Sequence, residues 1–339
     1  MTIQHKLQII LITYNRAKFV QKTFDRFFYK GSPVFDCDFL VLDNNSTDDT
    51  GKIVKDFMKK HPNVRYSKNH YNLGISGNIA KAMEVADKDY VWIIGDDDVY
   101  DFSNWAEVET AINNNEKMIC VARYAIPEEH KNEVPYQLFQ LTFITGGIYS
   151  TSLFNDTTMR DAFDNIFTLF PHLVPVMHIL NDGGHIYVVD KAISSNGWDP
   201  NKTDASYTRG LKNPGDLSPR SRSMNWVLGY STVCGILKDN NLAQKVFMHG
   251  CIGISGGSED NYIALLKRYF VNRQLCPMIL EAYNVSSPSM RKKLRKLLCI
   301  PSTYIYSYRY WDLLFQMVIK PGKRKRIKEK IAALKAFFE

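Results

Sequence analysis

Blocks of apolar and polar residues alternate regularly along the first hundred residues. Residues 7–13, Leu-Gln-Ile-Ile-Leu-Ile-Thr, form an apolar run that predicts a strand. From Lys18 to Phe28 the apolar residues recur at helical spacing, which predicts a helix. The same patterns predict strands at 38–42, 64–67 and 90–94, and helices at 49–60 and up to Val85. This alternation is typical of a doubly wound, parallel sheet of the α/β class.

The alternation is less regular beyond Asp98. We expect strands at 118–124, 141–149 and 185–189, and a helix after Pro171. Residues 195–219 are polar and contain many Gly, Pro and Asn residues, which predicts a long loop. From Ser223 onward, helical patterns dominate. Ser46 or Thr47 is expected to cap the helix that begins near Asp49.

The cysteines and the apolar runs bear on the compartment of the protein. Six cysteines are scattered without a close pair, which argues against a zinc site and fits a reducing cytoplasm. The apolar run at 7–12 has no small-residue cleavage site after it, so we expect a strand rather than a signal peptide. The best candidate for a membrane span, residues 304–319, is interrupted by Arg309 and Asp312.

Positive charge is concentrated near the C-terminus. The chain has a net charge of +8, and residues 291–335 contain fourteen Lys or Arg against two acidic residues. In residues 323–339, apolar side chains recur at helical spacing among these basic residues, which predicts an amphipathic helix on an anionic membrane surface. Packing of this apolar stripe on the protein's own core, or a contact in an oligomer, is the alternative.

Three consecutive carboxylates, Asp96, Asp97 and Asp98, follow the apolar strand pattern at 90–94. Adjacent carboxylates repel one another unless a cation or solvent compensates their charge. Their oxygens suit Mg²⁺ or Mn²⁺, and the carboxyl ends of parallel strands are where open α/β sheets bind ligands. The sequence therefore predicts a divalent cation site that neutralises a diphosphate, with a solvated acidic turn as the alternative.

Polar residues also follow the first two strand patterns. The first strand is followed by Tyr14, Asn15 and Arg16, and the second by Asp43 and Asn44. In a parallel sheet these ends share one edge with the acidic triplet, so a base and a ribose would bind beside a metal-held diphosphate. The first strand is followed neither by a Walker A motif nor by G-x-G-x-x-G.

Four motifs in order resemble the family-2 glycosyltransferases of the GT-A fold. They are Leu-Ile-Thr-Tyr-Asn-Arg, Val-Leu-Asp-Asn-Asn-Ser-Thr-Asp-Asp-Thr, Asn-Leu-Gly-Ile-Ser-Gly-Asn and Ile-Gly-Asp-Asp-Asp. The resemblance implies a GT-A-type doubly wound mixed sheet with a Rossmann-like nucleotide-binding half and a helical C-terminal segment. We expect a glycosyltransferase domain at 1–220, divided into a nucleotide-sugar-binding half at 1–100 and an acceptor-binding half at 101–220. A helical basic region follows at 221–339.

The resemblance also implies roles for individual residues. The expected nucleotide-sugar contacts are Thr13, Tyr14, Asn15, Arg16, Asp43, Asn44, Asn72, Gly74, Asn78, Asp96 and Asp97. Asp96 and Asp98 would bind Mn²⁺ or Mg²⁺, and Asp97, between them, would contact ribose or metal and take part in catalysis. In the loop at 195–219, Trp198, Tyr207 and Arg209 have side chains suited to a sugar ring and a diphosphate.

The family's acidic general base has no counterpart at the expected position. The residues about a dozen positions before Gly183 and Gly184 include His172 but no carboxylate. We expect His172 to act as the catalytic base, since imidazole accepts protons near neutral pH. A structural role for His172 is the alternative, with Asp161, Asp164 and Asp182 as reserve candidates.

These observations predict a metal-dependent, inverting glycosyltransferase. It would move a sugar from a nucleotide-diphospho-sugar, with UDP favoured, to a glycan or lipid-linked acceptor in bacterial surface polysaccharide or lipooligosaccharide synthesis. We expect it in the cytoplasm, peripheral at the inner face of the membrane. One rival is a nucleotidyltransferase acting on sugar phosphates, which usually carries a Gly-rich basic loop after its first strand. The other is a non-enzymatic nucleic-acid binder, but no nucleic-acid motif accompanies the basic tail, so we expect no nucleic-acid partner.

Overall fold

The computed structural model describes residues 3–122, 128–195, 226, 229–254 and 288–289. The chain divides into two compact units, Met1–Val246 and Phe247–Glu339, and the first contains the sheets described below. The domain division expected at residue 220 stays a prediction, because residues 196–225 are outside the described part.

A seven-stranded mixed sheet forms the centre of the first unit. Its strands are β1 (Leu7–Thr13), β2 (Asp38–Asp43), β3 (Val64–Lys68), β4 (Tyr90–Ile94), β6 (Met118–Cys120), β7 (Gly147–Ser150) and β8 (Tyr187–Val188). They lie in the order β3-β2-β1-β4-β7-β6-β8. Strands β3, β2, β1 and β4 are parallel, and β7 runs antiparallel to both β4 and β6. Two short strands, β5 (Val99–Tyr100) and β9 (Ser194–Ser195), pair separately. The expected mixed α/β sheet is confirmed.

Helices cover the sheet and connect its strands. They are α1 (Ile3–Lys6), α2 (Ala17–Phe27), α3 (Thr50–Met58), α4 (Gly74–Glu84), α5 (Trp105–Asn113), α6 (Val134–Leu141), α7 (Asp156–Asp164), α8 (Val174–Asn181) and α9 (Asn240–Ile254). Short 3-10 turns occur at Phe102–Asn104, Glu128–His130, Ile144–Gly146, Thr151–Leu153 and Pro171–Leu173.

Strands β1 and β4 are buried along their whole length, which explains why their sequences are almost continuously apolar. The apolar stripe predicted on α2 packs towards the sheet, where Val20, Phe24 and Phe27 have no exposed surface. Phe24 also stacks on Phe57 of α3, with ring centroids 3.9 Å apart. Burial of each such side chain contributes about 1.5–3 kcal/mol, so this layer stabilises the packing of α2 on the sheet and against α3.

The strand predicted at 141–149 is wrong for its first half. Helix α6 continues to Leu141 and a 3-10 turn follows at Ile144–Gly146, so the strand begins only at Gly147. Pro135 lies in the first turn of α6, a position that proline favours, and Leu138 and Leu141 are buried three residues apart on one helical face. The strand expected at 118–124 ends at Cys120.

The predicted cap of α3 is also wrong. Asp49 occupies the N-cap without a side-chain hydrogen bond to the helix. The neighbouring Asp48 accepts from the Thr50 amide at 3.0 Å instead. Ser46, one of the expected caps, accepts a hydrogen bond from the amide of Asn15, so it joins the β1 and β2 loops rather than capping a helix.

Several expected features lie outside the described residues. These are Trp198, Tyr207 and Arg209 of the long loop and the amphipathic helix at 323–339. Within the part that is described, the helices are too short or too polar to cross a membrane.

Candidate active site

The register between β1 and β4 brings two polar strand ends together. Leu11 of β1 pairs with Ile94 of β4. Thr13 and Asp96 each lie two residues beyond this pair, so both fall on the same side of the sheet. The Thr13 hydroxyl donates to Asp96 Oδ2 at 2.7 Å, and both side chains are buried. A residue at the end of β1 therefore determines the position of the first carboxylate of the acidic triplet.

Arg16 supplies positive charge to the same cluster. Its Nη1 contacts Asp96 Oδ1 and lies 3.0 Å from Asp97 Oδ2. Burial opposes the charge on Arg16, but the two carboxylates outweigh it and raise the pKa of the guanidinium. Burial raises the pKa of Asp96 to about 6; Arg16 opposes this shift, whereas repulsion from Asp97 adds to it. Asp96 is therefore mostly ionised at neutral pH.

The other two carboxylates differ in accessibility. Asp98 is 4% exposed, and its Oδ2 accepts a hydrogen bond from the Thr145 hydroxyl at 2.5 Å. Its main-chain carbonyl accepts a hydrogen bond from Arg26. The side chain of Asp97, in contrast, keeps 21% of its surface exposed. Asp97 is therefore the carboxylate of the triplet that is most open to solvent.

Asp43, at the end of β2, is completely buried. Its Oδ1 accepts from the amide of Ser46 at 2.8 Å, and its Oδ2 accepts from the hydroxyl of Tyr66 at 2.6 Å. Burial raises the pKa of Tyr66, and the hydrogen bond to Asp43 adds to the shift because it favours the protonated phenol. In the structure, Asp43 therefore organises the loop after β2 and anchors the adjacent strand β3.

Asn15 connects the loops that follow β1 and β2. Its backbone has a φ of +52°, in the left-handed region where Asn is one of the few tolerated residues. Its Oδ1 accepts from the Thr47 amide at 2.7 Å, and its own amide donates to Ser46 Oγ at 2.8 Å. Tyr14, beside it, is half-buried. The expected nucleotide contacts of this loop thus share one rigid turn.

A network of asparagine amides joins the end of β2 to the start of α4. Asn44 Nδ2 donates to Asn72 Oδ1 at 2.8 Å and to the carbonyl of Gly74 at 3.1 Å. Asn78 donates to the carbonyl of Leu42 at 3.3 Å. Gly74 has a φ of +70°, which glycine adopts without strain. These expected donor-site residues are brought together, but several of their amide groups are used in holding the two loops.

His172 lies in the 3-10 turn before α8 and is only 1% exposed. Its Nε2 lies 3.0 Å from the carbonyl oxygen of Leu141, so this nitrogen carries the proton and Nδ1 has the lone pair. Nδ1 has no hydrogen-bond partner among the described residues. Burial lowers the pKa of the imidazole to about 4. The ring is therefore neutral and retains an unused acceptor, but its role as the base stays a prediction.

The three reserve candidates for the base lie in different environments. Asp161 is partly exposed and its Oδ2 lies 2.9 Å from Nε2 of His178, so α7 and α8 carry an Asp–His pair. Asp164 and Asp182 are exposed near the ends of the same two helices. Within the described part of the chain, none of the three contacts the acidic triplet.

Sequence reasoning did not identify four residues that hold the acidic turn. Thr145 contacts Asp98 as described, and Thr23 Oγ1 donates to the carbonyl of Asp96 at 3.1 Å. Arg26 and Tyr100 bind the main-chain carbonyls of Asp98 and Gly95. The partners of Thr23 and Thr145 are 73 and 47 residues away in sequence. No local pattern marks such contacts.

The residues of the turn fit a divalent cation. They offer carboxylate oxygens, and a Cβ on Gly95 would lie 2.9 Å from Asp98 Oδ2, so only glycine leaves this approach open. Across the described ranges, three His, Cys, Asp or Glu side chains never converge as a complete cation site. A complete site is not required, because Mg²⁺ is commonly held by one or two carboxylates together with substrate phosphates.

The family model that describes glycosyl transferase family 2 matches residues 8–180, just over half of the chain. The chain belongs to glycosyl transferase family 2. The match includes all four motifs on which the resemblance was based, together with α7 and most of α8. The expectation of a family-2 member is therefore confirmed.

Individual relatives and structures agree with this assignment. The chain is 30% identical over 94 residues to the GalNAc(5)-diNAcBac-PP-undecaprenol beta-1,3-glucosyltransferase of Campylobacter jejuni. These 94 residues cover 27% of this chain and 30% of that protein. The curated relatives that it matches are covered over 30–60% of their own lengths.

Two solved structures share the fold. S. aureus TarS 1-349 in complex with UDP has a TM-score of 0.60 at 16% identity, covering 92% of this chain and 91% of that one. A mannosyltransferase from Pyrobaculum calidifontis, in complex with GDP-Man and Mn²⁺, has a TM-score of 0.50 at 14% identity and covers 91% and 83%. At these identities the likeness shows the fold alone, and it confirms the expected GT-A-type architecture.

Proposed function

We propose that this protein transfers a sugar from a nucleotide-diphospho-sugar to a glycan or lipid-linked acceptor, with inversion at the anomeric carbon. The observation that carries the proposal is the convergence of Thr13, Asp43 and the Asp96–Asp98 turn at the ends of three adjacent parallel strands. Ligands of open α/β sheets bind at such an edge. Family membership supports the same reaction class.

The donor base and ribose are assigned to the loops after β1 and β2. Tyr14 and Asn15 lie on one turn, and the Asn44–Asn72 amide pair borders the same edge. Asp43 is buried with both oxygens bonded, so we assign it to holding this loop for the base. A UDP-sugar is the favoured donor, and the fold shared with TarS, solved with UDP, is compatible with it.

The leaving diphosphate is assigned to the acidic turn. Asp96 and Asp98 would hold Mn²⁺ or Mg²⁺, which when bound supplies positive charge to the departing diphosphate. Asp97, the most exposed of the three, faces solvent and is assigned to the ribose or metal. The mannosyltransferase of the same fold was solved with Mn²⁺, which supports a cation of this type.

The acceptor hydroxyl would attack the anomeric carbon as the bond from that carbon to the diphosphate oxygen breaks. The hydroxyl proton must pass to a base. The unpartnered Nδ1 of His172 is chemically able to accept it, because Nε2 already carries the ring proton. The pKa of about 4 makes this imidazole a weak base, comparable with a carboxylate.

The setting that we propose is assembly of a bacterial surface polysaccharide or lipooligosaccharide at the inner face of the cell membrane. A relative from Campylobacter jejuni is named for an undecaprenol-linked acceptor, which supports this acceptor class.

We assign membrane attachment to the basic amphipathic segment at 323–339. Sedimentation with anionic liposomes tests it: the full-length protein should pellet at low salt and a truncation after Lys320 should not. Equal pelleting of both forms would contradict this attachment.

Thermal-shift measurements with UDP, GDP, dTDP and CMP, each with and without Mn²⁺, test the donor assignment. We expect one nucleotide, UDP in the favoured case, to raise the melting temperature only when Mn²⁺ is present. Asp98→Ala should abolish this metal-dependent increase. A nucleotide effect that is equal without metal, or unchanged in Asp98→Ala, would overturn the metal assignment.

A further inference from the structure

Thr145 is buried at the end of β4 although it belongs to the turn before β7. Strand β7 pairs with β4 in antiparallel register, Trp92 opposite Ile148, which places the preceding Thr145 beside Gly95. Its side chain is completely buried. A buried hydroxyl is costly unless its hydrogen bonds are satisfied, so its partners reveal what this position requires.

The hydrogen bonds of Thr145 have a fixed direction. The Gly95 amide can only donate, and it donates to Thr145 Oγ1 at 3.0 Å. The single hydroxyl proton of Thr145 is therefore available for Asp98, whose Oδ2 lies 2.5 Å away. One hydroxyl thus bridges the first and last residues of the four-residue acidic turn.

The main chain of Thr145 is held as firmly as its side chain. Its carbonyl oxygen accepts from Trp92 Nε1 at 2.9 Å and from Ser194 Oγ at 3.0 Å. Both donors are buried. Four hydrogen bonds, to β4, to the acidic turn and to β9, thus fix Thr145, and little freedom remains in the direction in which its hydroxyl points.

Gly95 provides a second, independent indication that the Asp98 carboxylate has a required position. A Cβ at residue 95 would lie 2.9 Å from Asp98 Oδ2, closer than real Cβ contacts allow. The carboxylate is therefore folded back over the turn, and this arrangement is possible only because residue 95 has no side chain.

We propose that Thr145 is a positioning residue that orients the Asp98 carboxylate to bind a divalent cation. This role rests on the proposed metal-dependent function. The hydrogen bond from Thr145 restricts rotation of the Asp98 side chain and so fixes the direction in which its carboxylate presents its oxygens. Partners that orient metal ligands in this way typically contribute about 10–100-fold to metal affinity.

Three variants separate positioning from general stability. Thr145→Val keeps the shape of the side chain and removes the hydroxyl, whereas Thr145→Ser keeps the hydroxyl. Ser194→Ala removes a buried hydroxyl that binds the carbonyl of Thr145 but does not reach Asp98. Ser194→Ala is therefore matched in burial. It loses one hydrogen bond where Thr145→Val loses two, and it leaves the bridge to Asp98 in place.

Mn²⁺ binding, measured by the electron paramagnetic resonance of free Mn²⁺ with and without UDP, requires no turnover. We expect Thr145→Val to weaken Mn²⁺ binding by at least about tenfold. Thr145→Ser and Ser194→Ala should stay within about threefold of the wild type. Melting temperatures of all three variants verify that they are folded under the conditions of the binding measurement.

The possible outcomes are distinct. If the wild type binds Mn²⁺ and Thr145→Val binds it equally well, or Ser194→Ala loses as much affinity, the positioning role is overturned and the metal site stands. If the wild type binds no Mn²⁺ in either condition, the metal assignment fails, and the role of Thr145 fails with it.

Discussion

The hydroxyl of Thr13 and the carboxylate of Asp96 are 2.7 Å apart, although 83 residues separate them in sequence. The contact exists because β1 and β4 are adjacent parallel strands whose ends coincide. It links the loop assigned to the nucleotide with the turn assigned to the diphosphate. The two loops that we assign to the donor are thus coupled by one buried hydrogen bond to a charged group.

Thr13→Val should lower both stability and binding. The variant removes a hydrogen bond to a buried carboxylate, which typically contributes about 1.5–3 kcal/mol to the free energy of unfolding. The Asp96 carboxylate also loses a group that orients it. We therefore expect weaker Mn²⁺-dependent binding of UDP in calorimetry, together with a lower denaturation midpoint in urea.

Thr23→Val is the matched control for this variant. Its hydroxyl is also buried and also reaches Asp96, but it binds the main-chain carbonyl instead of the carboxylate. Loss of a neutral hydrogen bond costs about 0.5–1.5 kcal/mol, with little change in nucleotide binding. Equal losses of affinity in both variants would show that the Thr13 contact has no special role.

The strands that build the site were predictable because their burial is uniform. Strand β4 was expected at 90–94 and lies at Tyr90–Ile94, and β2 extends one residue beyond its expected end. Both strands are covered on two faces, so β4 and the interior of β2 are apolar, and polar residues mark the ends of these runs. The convergence of Thr13 with Asp96 followed from that reasoning.

The contacts that hold the site were not predictable. Thr145 lies in a β-branched run, Ile144-Thr145, that resembles the beginning of a strand, and nothing nearby in sequence indicates its contact with Asp98. Asp43 was expected at the base and ribose, but Tyr66 on the neighbouring strand takes one of its oxygens. Such contacts depend on register between strands, which periodicity does not specify.

Arg16→Met should destabilise the protein more at pH 8 than at pH 5.5. Arg16 neutralises Asp96 and Asp97, and removal of one partner of a buried ion pair typically costs about 3–5 kcal/mol. In the folded wild type, burial raises the pKa of Asp96 to about 6, and this pKa should rise further without Arg16. Protonation at pH 5.5 then removes the unpaired charge, whereas at pH 8 the charge remains. Urea denaturation at both pH values measures the difference.

Arg65→Met controls for the loss of an arginine. Arg65 binds Asp38 and Asp87, but its side chain is 44% exposed, so its ion pairs are expected to contribute at most about 1 kcal/mol. Saturating Mn²⁺ should restore part of the stability of Arg16→Met and none of that of Arg65→Met. A pH-independent loss in Arg16→Met would contradict the proposed charge balance.

Substitution of His172 tests its role as the base. Loss of a general base typically lowers turnover by about 10²–10⁴-fold. We expect His172→Gln to reduce sugar transfer by this amount while donor binding, measured by calorimetry, stays within a few-fold. Asp161→Asn serves as the comparison, because Asp161 is a reserve candidate that is paired with His178. If Asp161→Asn is the slow variant and His172→Gln is not, the base belongs to α7.

The buried imidazole of His172 also predicts how stability depends on pH. Burial lowers its pKa from 6.5 to about 4 in the folded protein, so between these values the unfolded chain binds a proton that the folded protein does not. Stability therefore falls as pH decreases from 6.5 to 4, by up to about 3 kcal/mol for this residue.

Asp96, whose pKa is raised, changes stability in the opposite direction, but it does so in the wild type and the variant alike. His172→Gln should consequently lose less stability than the wild type between pH 7 and pH 4.5 in urea denaturation. Parallel curves for His172→Gln and the wild type would mean that His172 is not buried as a neutral ring.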